Sequence, residues 1–163
     1  MPTIAIVGAG SGLGQSIAKT FGGNGFSVAL VSRTQSRLDA LAAELGRAGV
    51  DAAGFAADVM DRASLVDAFA RIKQRFGTVD VLEYSPAQAS PEFANIAIAG
   101  AALRSWVLKL HQVTDGTGVY AAHVPLSVWI GAGGPETQPD TIARHYWDLY
   151  TKREGAEHHY SAF

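Results

Sequence analysis

Short unbroken apolar runs alternate along the first half of the chain with longer stretches whose apolar residues recur at helical spacing. Thr3 leads into the run Ile4 to Val7, which reads as a buried strand. The run stops at Gly8 and gives way to Gly10, Gly12 and Gly14, after which Ile17, Ala18 and Phe21 share one helical face. Ser27–Ser32 is a second strand, set off by the breakers Gly22, Gly23 and Gly25. Leu38, Leu41, Ala42 and Leu45 then repeat at helical spacing, with Gly46 and Gly49 as stop signals. Asp51–Ala57 reads as a third strand, ended by Asp58. Asp61 is placed to cap a helix carrying Leu65, Ala68, Phe69, Ile72 and Phe76, closed by Gly77. Thr78–Glu83 is a fourth strand.

Strands alternating with helices of this length predict an α/β fold, a doubly wound parallel sheet with helices on both faces. Burial on both faces also explains why Val28–Val31 is continuously apolar rather than alternating. In the second half, Ser90-Pro91-Glu92 has the composition of a helix start: a capping Ser, Pro at the first position and an acid in the first turn. Phe93, Ile96, Gly100, Leu103, Val107 and Leu110 form that helix's apolar face. Gly118–Val124 is expected as a fifth strand. The connection to it exceeds the roughly ten to twelve residues a parallel crossover needs, and it can take the required right hand. Trp129–Pro135 reads as a loop. From Pro139, the residues Ile142, Ala143, Tyr146, Trp147, Leu149 and Tyr150 predict a terminal amphipathic helix, and the tail Glu154–Phe163 has no clear period. The sheet is therefore expected to have about five strands in the order 3-2-1-4-5, within one domain spanning residues 1–163.

Bulk composition narrows the function classes. A chain of 163 residues with a hydrophobic fraction of 48% is of ordinary size and composition for one globular domain. A net charge of −2 without a basic run argues against nucleic-acid binding. Cysteine is absent, which removes disulfide and thiolate chemistry. No apolar stretch has membrane-spanning length, and the first strand begins at Thr3, which leaves no room for a targeting peptide in this sequence; a cytoplasmic location is the expectation. The five histidines show no metal-ligand spacing, so no metal site is expected. Gly10-Ser11-Gly12 lies in the glycine turn, and no Gly-x-Ser-x-Gly elbow joins a strand to a helix elsewhere.

The candidate chemistry sits in the glycine turn. Glycines let the backbone approach a ligand without a Cβ in the way. The helix that follows starts with unpaired N–H groups and a partial positive charge, a setting suited to a phosphate. Placed after a strand and before a helix, Gly8, Gly10, Ser11, Gly12, Leu13 and Gly14 are candidate contacts to a dinucleotide pyrophosphate. At the end of the second strand, where an acid would take the ribose hydroxyls of NAD, stand Ser32 and Arg33, with no carboxylate until Asp39. A guanidinium binds a phosphate bidentately where an acid would repel it, so NADP is favoured over NAD. The alternative for Arg33 is a solvated surface charge. Tyr84 and Ser85, at the carboxyl end of the fourth strand, are candidates to touch a nicotinamide or a small substrate, or else belong to a turn set by Ser85-Pro86.

The spacing Gly8-x-x-x-Gly12-x-Gly14, Ser32-Arg33-Thr34 after strand two and Ala57-Asp58-Val59 after strand three resemble the short-chain dehydrogenase/reductase family over residues 3–83. The resemblance implies a Rossmann-like fold, with Asp58 and Val59 against the adenine ring. Val7 stands where the family usually has Thr. Tyr84-Ser85-Pro86-Ala87 replaces the family's Asn-Asn-Ala-Gly. Gly100-Ala101-Ala102-Leu103 aligns with the family's Lys-Ala-Ala-Leu, which puts the Tyr and Lys of its Tyr-x-x-x-Lys motif on Ile96 and Gly100. Neither moves a proton, the segment that carries the family's Ser is missing, and no catalytic residue is assigned. Pro125-Leu126-Ser127-Val128 resembles the loop that closes over the nicotinamide, which implies Pro125 and Val128 as cofactor contacts. Three readings follow. The first is an NADP(H)-binding oxidoreductase of a carbonyl/alcohol pair, impaired or inactive by the family's usual mechanism. The second is a non-catalytic dinucleotide-binding or regulatory module. The third is a truncated remnant of a longer enzyme. Trp106 with Ala97, Ala101 and Ala102 is the candidate homodimer contact, covering surface left by the missing helix.

Overall fold

The first half of the chain folds as its periodicity dictates, each apolar run becoming a strand and each helical stripe a helix laid against it. The structure is a computed structural model that describes residues 1–85 and 93–162, with the backbone alone for 93–98. Its elements are β1 (Thr3–Val7), α1 (Leu13–Gly23), β2 (Ser27–Ser32), α2 (Gln35–Arg47), β3 (Ala52–Ala56), α3 (Arg62–Phe76), β4 (Val81–Tyr84), α4 (Phe93–Val113), β5 (Leu126–Ser127), α5 (Pro139–Lys152) and β6 (Tyr160–Ser161). The expected helix start at Ser90-Pro91-Glu92 lies outside the described residues, as do Pro86 and Ala87 and the side chains of Ile96 and Ala97.

β1 to β4 form a parallel sheet in the order β3-β2-β1-β4, with β1 paired from Thr3 opposite Ser27 to Val7 opposite Val31. Alternate strand residues feed two cores. Ile4, Ile6, Val28 and Leu30 pack beneath α1, α2 and α5, through Ile17, Phe21, Leu38, Leu45 and Ala143. Ala5, Val7, Ala29, Val31 and Phe55 pack beneath α3, through Ala68 and Ile72. Both faces are thus covered, which is why these strands lack a polar side. The Asp61 carboxylate accepts from the Ala63 N–H at 2.9 Å and caps α3 as expected. α5 is tied to α1 by the Ser16 hydroxyl, which donates to Asp140 Oδ1 at 2.6 Å, and by rings from both helices.

The fifth place in the sheet is corrected. Residues 118–124 do not extend the sheet beside β4; among the described residues β4 has β1 as its strand neighbour. The backbone of this segment and of β5 turns instead to the tail. The His123 N–H donates to the Ala156 carbonyl, the His158 N–H to the His123 carbonyl, and the Tyr160 N–H to the Pro125 carbonyl. His123 bridges in parallel to Glu157, and β5 and β6 continue as a separate two-stranded parallel sheet. Backbone groups already paired to the tail are not available to the edge of β4. On that edge strand Leu82 and Tyr84, opposite Ala5 and Val7, remain 56% and 46% exposed. The expected loop from Trp129 contains a 3-10 helix, Pro135–Thr137, at its end.

Candidate functional site

The turn after β1 is built by glycine. Gly8 has φ 106°, a conformation that strains an L side chain. Its N–H and that of Ala9 both donate to the Val31 carbonyl, at 2.9 and 3.1 Å, which draws the turn across the tip of β2. A Cβ on Gly14 would stand 3.1 Å from Ala9 Cα, so only a minimal residue lets the turn press so closely on α1. A Cβ on Gly12 would meet open space. Gly12 caps α1 without a side-chain hydrogen bond, and no acid lies in the first turn.

Beyond this turn opens a cavity of about 950 Å³ at the carboxyl ends of β1, β2 and β3. Of the residues singled out from the sequence, Gly8, Gly10, Ser11, Ser32, Arg33, Asp58 and Val59 line it. Gly12, Leu13 and Gly14 form the start of α1 beside it. Arg33 is exposed and has no ion-pair partner among the described residues. Asp39 turns away: it accepts from Gln35 Nε2 at 2.7 Å and is absent from the lining. Asp58 is held in a turn, its N–H donating to Ser64 Oγ at 2.9 Å and its carboxylate accepting from the Met60 N–H at 3.0 Å. Pro125 and Val128 flank β5 and are not among the lining residues.

Sequence reasoning missed two charged wall residues. Arg37 lies four residues beyond Arg33, on α2; a second cation at that spacing after the strand was the available signal. Glu44 accepts from Gln15 Nε2 at 2.6 Å and pairs with Lys19 at 2.9 Å, linking α2 to α1 across the rim. The hydrogen bond from Lys19 holds its carboxyl below the ordinary range. Only the packing of α1 against α2 brings these groups together. A glycine floor, a helix N-terminus and two guanidiniums without an ion-pair partner among the described residues fit the anionic, adenosine-bearing half of a dinucleotide.

Tyr84 and Ser85 lie at the neighbouring strand end. The Ser85 N–H donates to the Val7 carbonyl at 2.9 Å, so Ser85 stands directly beside Gly8. Beneath it Glu83 is buried, and burial pushes its carboxyl up to about 7 against the opposing hydrogen bond from Ser85. In the tail, Arg104 grips Glu157 through two hydrogen bonds of 2.5 and 2.7 Å, and His123 Nδ1 lies 3.0 Å from the same carboxylate. These bonds, Arg104's first, hold Glu157 well below the usual carboxylate range. Burial, with His158 nearby, lowers the His145 imidazole. Among the described residues no group of three or more His, Asp and Glu side chains is arranged to hold a metal ion, and no helix is long and apolar enough to cross a membrane.

Comparison with known proteins bears on this geometry. The family model described as short chain dehydrogenase matches residues 2–101. Serine 3-dehydrogenase of Agrobacterium fabrum is 32% identical over 145 residues, 88% of this chain and 55% of that protein. The 2,3-dihydro-2,3-dihydroxybenzoate dehydrogenase of Bacillus subtilis is 34% identical over 77 residues, 47% of this chain and 30% of that protein. The chain therefore spans from under a third to just over half the length of these curated relatives. The structure of L-sorbose reductase from Gluconobacter frateurii, complexed with NADPH and L-sorbose, superposes with a TM-score of 0.80 at 17% identity, covering 98% of this chain and 94% of that one. A short-chain dehydrogenase from Rhodopseudomonas palustris gives 0.82 at 17% identity, covering 99% of each chain. At such identities the likeness concerns the fold.

Proposed function

As the chain belongs to the short-chain dehydrogenase family, we propose that it binds NADP(H) in the cavity above the glycine turn. The observation that carries the reading is the wall at the end of β2, where Arg33 and Arg37 line the cavity while its carboxylates are engaged elsewhere, Glu44 with Lys19 and Gln15 and Asp58 with the Met60 N–H. In this reading the N–H groups at Gly10 to Gly14 take the pyrophosphate, Arg33 takes the 2′-phosphate with Arg37 beside it, and Asp58 and Val59 border the adenine. Tyr84, Ser85, Pro125 and Val128 are proposed for the nicotinamide end. When bound, the nicotinamide supplies or accepts a hydride. The protein's share is to orient it against a small carbonyl or alcohol. Because Ile96 and Gly100 occupy the family's Tyr and Lys positions, the general acid–base contribution of that pair, roughly 10²–10⁴-fold, is forgone. This favours slow turnover, and it keeps a second reading in play: a dinucleotide-binding module, or the remnant of a longer enzyme, that binds cofactor without turning over.

A titration of the protein with NADPH and NADH, followed by nicotinamide fluorescence, tests the reading. Saturable binding with NADPH preferred is expected. A charge-assisted hydrogen bond is worth about 1.5–3 kcal/mol, so Arg33→Ala is expected to weaken NADPH binding by roughly 10- to 100-fold and leave NADH almost unchanged. Equal loss for both cofactors would remove Arg33 as the phosphate reader, and no binding of either would overturn the proposal.

We also propose a homodimer through α4. Trp106 is 61% exposed, and Ala101 and Ala102 are exposed on the same helix. Light scattering at micromolar concentration is expected to give twice the chain mass, and Trp106→Glu to give the monomer. A wild-type monomer would refute this contact.

A further inference from the structure

Met60 is the one internal sulfur in a chain without cysteine, and it lines the cavity above the glycine turn. Val59 and Met60 are the central residues of a turn closed by the Asp61 N–H, which donates to the Asp58 carbonyl at 3.0 Å. The turn is fixed from both sides. The Met60 N–H donates to Asp58 Oδ1 at 3.0 Å, the Asp58 N–H donates to Ser64 Oγ at 2.9 Å, and Asp61 caps α3. The Met60 side chain therefore hangs from a backbone held in place, yet is itself 78% exposed. Val31 and Leu41, apolar residues of the same cavity wall, are buried in the core, whereas Met60 is left open to solvent. A thioether is flexible and polarisable, so it suits the face of a flat ring, and an exposed one is open to peroxide.

We infer that Met60 is a reversible oxidation site that controls cofactor affinity, its thioether covering the adenine of a bound dinucleotide and its sulfoxide weakening that cover. The inference rests on the dinucleotide reading above, in which the neighbouring Asp58 and Val59 border the adenine. Hydrogen peroxide is the oxidant. Its O–O bond breaks, one oxygen bonds to the Met60 sulfur and the other leaves as water; the sulfur gives up two electrons and the peroxide takes them. A polar side chain, chiral at sulfur, replaces an apolar one. The return step uses a dithiol acting through methionine sulfoxide reductases: the S–O bond breaks, the oxygen leaves as water, and the two thiols become a disulfide. With no cysteine in the chain, no thiolate of its own competes for the peroxide. The cover also works in reverse. A bound dinucleotide shields the sulfur, so an occupied site resists the oxidant and an empty one does not.

The test uses wild type and Met60→Leu, each before and after dilute hydrogen peroxide, with free methionine in the same tube to report the oxidant. Peptide mass spectrometry is expected to place one oxygen atom on Met60. Oxidised wild type is expected to bind NADPH roughly 2- to 10-fold more weakly, the loss of a sulfur–ring contact, and to regain its affinity with methionine sulfoxide reductases and dithiothreitol. Met60→Leu, apolar but without sulfur, is expected to keep through the treatment whatever affinity it starts with. NADP⁺, which is not itself a reductant, is expected to slow Met60 oxidation in wild type. A Met60 that stays unoxidised while free methionine is consumed overturns the inference. So does oxidised wild type that binds NADPH as before, an affinity that the reductases do not restore, a Met60→Leu protein that loses affinity as wild type does, or a Met60 oxidation rate that NADP⁺ leaves unchanged. Untreated wild type that does not bind NADPH defeats the dinucleotide reading and this inference with it, whereas binding followed by any of those other results defeats the oxidation site alone.

Discussion

Phe21→Ala is expected to lower the unfolding free energy by about 3–5 kcal/mol. Phe21 is 2% exposed on the inner face of α1. Its ring lies 5.3 Å from that of Phe26, 5.1 Å from Trp147 and 5.6 Å from Tyr150, each in an edge-on arrangement. Removing it deletes buried area and leaves a void that three rigid rings fill poorly. It also deletes edge-on aromatic contacts worth about 0.5–1.5 kcal/mol each beyond their area. Trp147 and Tyr150 are half-buried, so partial collapse of α5 toward the void keeps the loss inside the stated range. Urea unfolding of both proteins measures the difference. The same ring couples packing to the site, because α1 begins at the glycine turn and α5 holds it in place through Phe21 and Ser16. A loss under about 1 kcal/mol would mean that α5 does not dock on α1 as described.

Glu83→Gln is expected to stabilise the protein in mildly alkaline solution by about 3 kcal/mol, and by little in acid. The sign follows from the direction of the shift. The folded carboxyl is pushed up to about 7 from an ordinary value of 4.5, so the folded state holds this proton more tightly than the unfolded chain. Its favourable contribution is complete below about 4.5, and it is lost as pH rises through about 7. Above that point wild type carries a buried charge faced by Tyr146 and by no cation among the described residues, and the isosteric amide carries none. Denaturant midpoints across this pH span are the measurement. A difference that stays constant with pH would show that Glu83 titrates normally and that the buried carboxyl is solvated.

The two results bear on different layers of the molecule, and those layers were unequally legible. The glycine turn was readable because its requirements are local. A positive φ at Gly8 and close approach at Gly14 are met by glycine at fixed offsets from a strand and a helix. Asp61 and Gly77 bounded α3 for the same reason, through short-range capping. Arg33 was readable because it directly follows β2. Arg37, Glu44 and Lys19 were not, since they meet only when α2 packs on α1.

By itself, then, the sequence determined the alternating elements through α3, the sheet order β3-β2-β1-β4, the phosphate-type turn and the terminal helix α5. Each depends on periodicity or on interactions a few residues apart. Tertiary structure alone decided the partner of residues 123–127. Their apolar pattern suits a strand equally well beside β4 or elsewhere, and the aperiodic tail announces nothing. The choice falls to long-range backbone pairing with 156–162, reinforced by Arg104 and His123 on Glu157. Tertiary structure also decided the state of Glu83. Strand alternation gives the inward direction of its side chain, but only α5, brought over β4 by its docking on α1, places Tyr146 against it and removes the water that would have kept it an ordinary acid.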